Sequence, residues 1–463
     1  MKIKKIALSL AGMAAAVAFA PDASAIPAFA RQVGMACSAC HYQHFPVLNA
    51  FGRAFKEGGY TMVGAQDKIE GDGISLPAVE NLAIVGSAGY TKTNGPSTSV
   101  NSVKGSSNDG QYVFPSGVSL FAGGRGGEHF GFEAEIALNS SGVTGSAGLI
   151  RLKIPFVFDV GSVKAGIVPF SSGLGPADSF EVLNTGAVAV HAWNQQDMPT
   201  VSAQQYIGTG GAGGFGYDPS TGSAHGVAFI ASNDDFFANF AKWGATLGDG
   251  SGAPSSNYLR AAWTTGLIPG FDSAIGFQNW SGTSVYSASS GTLFATPGPV
   301  DTKAWAVDAQ TMGDVSGMPL LVTASYARAE SDAGTNLQNL YNPTLADVNT
   351  GAVLNPFTKS SFNIGAELGV IPNKATLQLA FRHANSGFDS GLISGGAASG
   401  SNASDNAVLV GATYSIALNA RLEFTYSKYS GDMYGSSVQA YEATQNIVYA
   451  GDQLTAVTLW FGF

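Results

Sequence analysis

From about residue 78 to the end of the chain, apolar residues recur at every second position in stretches of roughly ten, broken alternately by short turns and by long Gly/Ser/Asn-rich loops. In "GVSLFAGGRGGEHFGFEAEIAL", Val118, Leu120 and Ala122 alternate up to a glycine turn and Phe130, Phe132, Ala134 and Ile136 alternate away from it. "FNIGAELGVIPNKATLQLAFR" repeats the device across Pro372-Asn373, and "IRLKIPFVFDVGSVKAGIV" and "AVLVGATYSIALNARLEFTYSK" repeat it near 159–161 and 417–419. Period two is the period of a strand with two unlike faces. The pattern predicts strands near 81–92, 112–124, 129–139, 147–156, 161–169, 224–232, 236–244, 257–266, 273–281, 302–312, 318–329, 361–370, 374–384, 406–414, 419–428 and 454–463. The number is even, the short turns fall on one side and the long loops on the other. An even count returns the last strand to the side where the first began, as a bacterial transmembrane barrel of about 16 antiparallel strands requires. The final strand, "QLTAVTLWFGF", carries Val457, Leu459, Phe461 and Phe463 on one face, and its aromatic end resembles the assembly signal of outer-membrane barrels. A β-sandwich gives no reason for loop lengths to segregate by side.

The alternation also sorts charge. Glu133, Glu135, Arg151, Lys153, Lys164, Arg260, Asp308, Glu367, Arg382, Arg421 and Glu423 lie between the apolar positions and are expected to face the lumen, as ordinary polar lining.

Before residue 78 the pattern is different. Lys2, Lys4 and Lys5, an apolar run from Ile6 to Ala20 and Ala23-Ser24-Ala25 have the layout of a cleaved secretory signal, so residues 1–25 are expected to be removed. The run is shorter than the roughly 20 residues a membrane-spanning helix needs. Around "FPVLNAFGRAFKEGG" the apolar spacing becomes helical: Val47, Leu48, Phe51 and Phe55 make a stripe, Pro46 suits a first turn and Gly58-Gly59 a C-terminal stop. Core packing is the default role of such a stripe. The chain thus divides into a signal at 1–25, a small helical segment at 26–77 and a barrel at 78–463.

Composition supports the membrane assignment. Only 12% of residues are charged, mean hydropathy is +0.13 and 61 residues are glycine. Soluble proteins carry about 25% charge, and a barrel accounts for the deficit because its lipid-facing positions exclude charge. The formal charge is −10; the signal's three lysines and one aspartate contribute +2, which leaves the mature chain near −12. Such acidity argues against nucleic acid as a partner and is compatible with cations.

The chemistry concentrates in "GMACSACHYQHFPVLNAFGRAFKEGGY", which holds both cysteines of the chain. Two thiols spaced Cys-x-x-Cys on one helical turn can each add to a vinyl group of a haem, and the next residue, His41, can then reach the iron. Cys37 and Cys40 are therefore candidate thioether attachments of one covalent haem c, with His41 the proximal iron ligand. Three readings compete. A thiol-redox pair belongs to a thioredoxin-like context that is absent here. A zinc site from Cys37, Cys40, His41 and His44 crowds four ligands into eight residues. The third is a pattern with no cofactor. For the distal position, Met62 has enough chain to fold across, His44 lies on the proximal side, His129 is expected at the periplasmic, lumen-facing end of the barrel, and a site with no protein ligand stays open.

With "IPAFARQVGMACSACHYQHFPVLNAFGRAFKEGGYTM" ahead of such a barrel, the chain resembles the monohaem cytochrome-porin fusions of Fe(II)-oxidising bacteria, the outer-membrane iron oxidases. The most specific parts are Phe29-Ala30-Arg31-Gln32, Cys37-Ser38-Ala39-Cys40-His41 and Phe45-Pro46-x-Leu48-Asn49-x-Phe51-Gly52-Arg53. The resemblance implies an oxidoreductase of the bacterial outer membrane. Its cytochrome segment would sit at the periplasmic side or within the barrel, with Fe(II) as electron donor and a periplasmic c-type cytochrome as acceptor. An electron conduit with another donor or the outward direction, and a solute porin with a haem-bearing plug, are the alternatives. No sequence feature marks an Fe(II) site.

Overall fold

The computed structural model describes residues 27–64, 67–71, 74–78, 81–94, 110–139, 148–183, 203–208, 224–245, 254–286, 298–332, 337–344, 350–417, 419–434 and 451–463. The expected signal, 1–25, lies outside them.

Among the described residues, sixteen antiparallel strands close into a barrel. They are β1 (Leu82–Thr93), β2 (Gln111–Arg125), β3 (Gly131–Asn139), β4 (Gly148–Lys153 continued by Phe156–Val160), β5 (Val163–Ser172), β6 (Ala224–Ser232), β7 (Phe236–Gly244) and β8 (Ser256–Thr265). The second half is β9 (Phe271–Ser281), β10 (Ala304–Val315), β11 (Met318–Ala329), β12 (Lys359–Ile371), β13 (Ala375–Asp389), β14 (Asn402–Ala417), β15 (Ala420–Ser430) and β16 (Gln453–Gly462). Each strand pairs with its sequence neighbours, and β16 closes on β1 with Leu459 opposite Ala88 and Gly462 opposite Val85. Phe463 and Ile84 exchange both backbone bonds, at 2.9 and 3.0 Å. Closure leaves no open sheet edge, the condition for a strand to cross lipid. No helix among the described residues is long and apolar enough to cross a membrane.

The fourth strand differs from its expected bounds. It runs to Val160, not to 156, and is split at Ile154-Pro155, because proline has no N–H for the ladder. The Pro155 carbonyl still accepts from Gly131 N at 3.2 Å, so the sheet continues past the break.

Parity separates the faces as the alternation requires. Leu379 and Val410, opposite each other on β13 and β14, are 59% and 50% exposed, whereas Arg260 and Arg382 are 0% exposed. The outward face is apolar, the architecture of a bacterial outer-membrane barrel. The inward charges are ion-paired: Arg260 lies between Glu181 (3.0 Å) and Asp308, Lys153 between Glu133 (3.3 Å) and Asp178 (3.0 Å), and Arg382 on Asp405. Lys164 is the most exposed of the expected lumen residues, although it shares the parity of buried Val168, Phe170 and Ser172. It lies beside the 161–162 turn, pairs with the exposed Asp159 and stays outside the packed interior.

Two pieces of the connection between β5 and β6 enter that interior, which strand periodicity gave no means to foresee. Residues 176–183 place Phe180, Val182 and Leu183 at 0–3% exposure. Asp178 receives Ser172 Oγ (2.7 Å), and Asn239 Nδ2 donates to the Phe180 carbonyl (2.7 Å). The short helix Ala203–Gly208 lies on β11 and β12, its Ala203 N–H donating to Asn363 Oδ1 at 2.9 Å. The interior is therefore packed at this level. Breaking the Arg260 cluster takes the guanidinium away from two buried carboxylates, Glu181 and Asp308, so Arg260→Ala should cost about 3–5 kcal/mol. Urea unfolding of the lipid-reconstituted protein should show it, while Lys164→Ala at the rim should leave the midpoint nearly unchanged.

Candidate haem-attachment site

The segment before the barrel is built around three short helices: α1 (Pro27–Val33), α2 (Cys37–Cys40) and α3 (Ala50–Glu57). Cys37 and Cys40 stand on the single turn of α2, and neither is in a disulfide. Burial pushes both thiols up, so they remain S–H, the form that adds across a vinyl double bond. His41 follows in extended backbone, with its N–H bonded to the Cys37 carbonyl at 2.9 Å.

Chain from His41 to Leu48 forms a small loop. His41 bridges Leu48, and Tyr42 N donates to the Val47 carbonyl at 2.8 Å. His41 Nδ1 lies 3.3 Å from the same carbonyl. When Nδ1 carries the proton, Nε2 is the nitrogen left for a metal, the arrangement in which a backbone acceptor fixes the tautomer of a ligating histidine. Burial pushes the imidazole down to about 4, so it is neutral, as a ligand must be. Met35, Phe45 and Met62 are each more than 40% exposed, and the Phe45 ring stands edge-on to His41 at 5.3 Å. These residues fit a covalent haem: two thiols on one turn, one pre-oriented imidazole and apolar surface for the macrocycle to cover. A bare-metal site fits less well. Among the described residues no three His, Cys, Asp or Glu side chains converge on one point.

The helix after the loop starts at Ala50, later than the Pro46 start that its apolar stripe suggested. Asn49 decides this: its Oδ1 caps Gly52 N at 3.0 Å while its Nδ2 donates to the Ala39 carbonyl at 3.0 Å. Val47 is thereby free of the helix and packs on Met312 and Leu321 of the barrel. Gly58 and Gly59 do end α3, their N–H groups meeting the Ala54 and Lys56 carbonyls at 3.0 and 2.8 Å.

Contacts from this segment reach around the short-turn end of the barrel. Tyr42 Oη donates to the Gly313 carbonyl (2.6 Å), Arg53 pairs with Asp272 (2.5 Å), and Tyr60 Oη donates to Glu133 (2.7 Å). Phe29 stacks on Tyr60 with centroids 4.7 Å apart and meets Phe121 of β2 edge-on. Strand glycines make room for these contacts. A Cβ on Gly123 would come within 2.8 Å of Phe29, one on Gly131 within 2.2 Å of the Gly59 carbonyl, and one on Gly369 within 2.0 Å of Gln43.

The distal candidates fall in different places. His44 is committed to the barrel wall: Nε2 lies 2.7 Å from Glu367, and Arg421 reaches Nδ1 at 2.8 Å. His129 does not face the lumen. Its ring packs at 4.9 Å on Phe158, which projects from the exposed outer face at 49% exposure. Met62 keeps an exposed side chain, and its carbonyl is held by Gln32 Nε2 at 2.6 Å. Gln32, Asn49 and Gly52 are site residues that the sequence marked only weakly, as an amide in a short motif, an Asn ahead of an apolar stripe and one glycine among many.

No family model matches the chain, and no curated protein does. Among solved structures, OmpF of Salmonella typhi, in a complex with daunomycin, is similar at 12% identity over 86% of this chain and 100% of its own, with a TM-score of 0.48. The outer membrane channel DcaP of Acinetobacter baumannii is similar at 13% identity over 83% and 96%, TM-score 0.45. OmpT of Vibrio cholerae, an outer membrane protein, is similar at 12% identity over 86% and 100%, TM-score 0.44.

Proposed function

We propose that this chain is an outer-membrane cytochrome-barrel that takes electrons from extracellular Fe(II) and passes them, through one covalent haem c, to a soluble c-type cytochrome in the periplasm. The observation that carries the reading is the placement of Cys37, Cys40 and His41 on a segment hydrogen-bonded to the short-turn rim of a barrel whose interior is packed. A diffusion porin needs an open aqueous path and has no use for a redox motif. A soluble cytochrome has no use for a barrel. Short turns face the periplasm in bacterial barrels, which supports a place for the segment on the acceptor's side.

When bound, the haem would supply a one-electron Fe(III)/Fe(II) couple. The chain's own residues would do the rest: Cys37 and Cys40 would anchor the haem, His41 and Met62 would hold its iron, and the outward apolar face would keep the barrel in lipid. Fe(II) as donor rests on the resemblance to iron oxidases, and the acidity of the mature chain favours a cationic substrate.

The test is anaerobic stopped-flow mixing of the oxidised, full-length protein with Fe(II), following the haem bands. Fe(II) should reduce the haem, more slowly as ionic strength rises, and a soluble c-type cytochrome should reoxidise it. Oxidised haem left untouched by Fe(II) at near-neutral and acidic pH, yet reduced by another donor, would replace this reading with the conduit. A steady open conductance in planar bilayers would favour the solute porin.

A further inference from the structure

We infer that Gln32 is a positioning residue for the distal iron ligand, a clamp that fixes the Met62 segment against the helix leading into the Cys37-x-x-Cys40-His41 motif; this rests on the reading of Met62 as that ligand.

Gln32 is fully buried, at 0% exposure, near the end of α1. A buried primary amide has two donors and an acceptor oxygen to satisfy. Here Nε2 donates to the Tyr60 carbonyl (2.6 Å) and to the Met62 carbonyl (2.6 Å). Oε1 accepts from Asn81 Nδ2 (3.0 Å) and from the backbone N–H of Arg125 (2.9 Å). One side chain thus ties three pieces together: α1, the extended stretch after α3, and the rim formed by β1 and β2.

The surroundings are shaped for it. A Cβ on Gly124 would lie 2.4 Å from Gln32 Oε1 and 2.0 Å from Asn81 Nδ2, and the φ of +156° there suits glycine. Gly64 N donates to the Gln32 carbonyl at 3.0 Å, and a Cβ on Gly64 would lie 2.2 Å from the Val33 carbonyl. Residues 60–64 therefore lie directly along the end of α1, and only Gly34, Met35 and Ala36 separate α1 from Cys37. The span between Met62 and the haem attachment is set by this short path. The amide grips the Met62 backbone, and the residue is 43% exposed, its side chain outside the packed interior.

Substitution separates the clamp from general packing. Gln32→Glu keeps the two acceptor bonds, loses both donors and turns a carboxylate oxygen toward the Tyr60 and Met62 carbonyls, a repulsion added to the loss. Gln32→Leu removes all four bonds, and Asn81→Ala removes one on the acceptor side. On holoprotein with covalent haem, Met62→Ala should abolish the methionine-sulfur-to-iron(III) charge-transfer band and lower the reduction potential. Gln32→Glu and Gln32→Leu should cut the Met-ligated population roughly tenfold, the worth of about two net hydrogen bonds, and move the potential toward that of Met62→Ala. Asn81→Ala should keep most of the band. If Met62→Ala loses the band while both Gln32 variants keep it at parental intensity, the clamp is wrong and the ligand stands. If Met62→Ala leaves spectrum and potential unchanged, the ligand assignment falls and the clamp falls with it. If Asn81→Ala loses the band as fully as Gln32→Glu, general loosening of the rim, not the donors, explains the effect and the clamp is rejected.

Discussion

Cys37→Ala or Cys40→Ala is expected to strip most of the covalent haem from this protein and to leave a heat-modifiable barrel of parental mobility. The sheet closes through the β16–β1 ladder, and every residue of that ladder lies at or beyond Leu82. Strand hydrogen bonds satisfy one another inside lipid and need no cofactor. The segment that carries the cysteines adds only side-chain and rim contacts, such as Arg53 to Asp272 and Tyr60 to Glu133. Haem staining after denaturing electrophoresis, beside the mobility shift on heating, reads both halves in one experiment. Joint loss of barrel and haem in each variant would mean that the segment and the barrel fold as one unit. His41→Ala should behave differently, keeping thioether-bound haem with altered ligation.

The barrel was legible because its physics is periodic. Each strand must present alternate faces to lipid and to the interior, so Leu377, Leu379 and Phe381 announce one face while Gln378 and Arg382 announce the other. Three strands outrun their expected bounds: the one broken by Pro155, where the backbone loses a donor without losing direction, and β13 and β14, which run on to Asp389 and start from Asn402 where 384 and 406 were expected. The inward pieces were not legible. Phe180 and Tyr206 lie in a loop with no period, and what buries them is strands distant in sequence: Asn239 of β7 bonds the Phe180 carbonyl, and Arg382 of β13 stands over the Tyr206 ring at 4.8 Å. The Cys37-x-x-Cys40-His41 pattern is local, and its candidate chemistry could be named from spacing alone. Its orientation depends on contacts hundreds of residues away, as His44 does on Glu367 and Arg421, and spacing in sequence does not encode them. The parity that sent Glu133 inward could not show that Tyr60 would meet it.

Gly52→Ala offers the sharpest test of how the motif is held, because two ordinary effects predict opposite signs. Gly52 lies in the first turn of α3, and glycine inside a helix is worse than alanine by roughly 0.5–1 kcal/mol. On helix propensity alone the substitution should stabilise. Yet a Cβ there would sit 2.1 Å from the Cys40 carbonyl oxygen and 3.0 Å from Leu48 Cδ2. The carbonyl cannot simply retreat, since it accepts from Asn49 N at 3.0 Å and lies next to the His41 peptide. The methyl must therefore push α3 away from α2. Overpacking of this kind costs about 1–3 kcal/mol, which exceeds the propensity gain. Gly52→Ala should thus lower covalent haem yield and make residues 27–64 more susceptible to proteolysis, with barrel mobility unchanged. Gly58→Ala supplies the comparison: at the end of the same helix, with φ −75°, its nearest neighbour would be 3.4 Å away, an ordinary contact. That variant should keep parental haem. Equal haem yield from Gly52→Ala would show that the close approach of α3 to the Cys40 carbonyl does not fix Cys40 and His41.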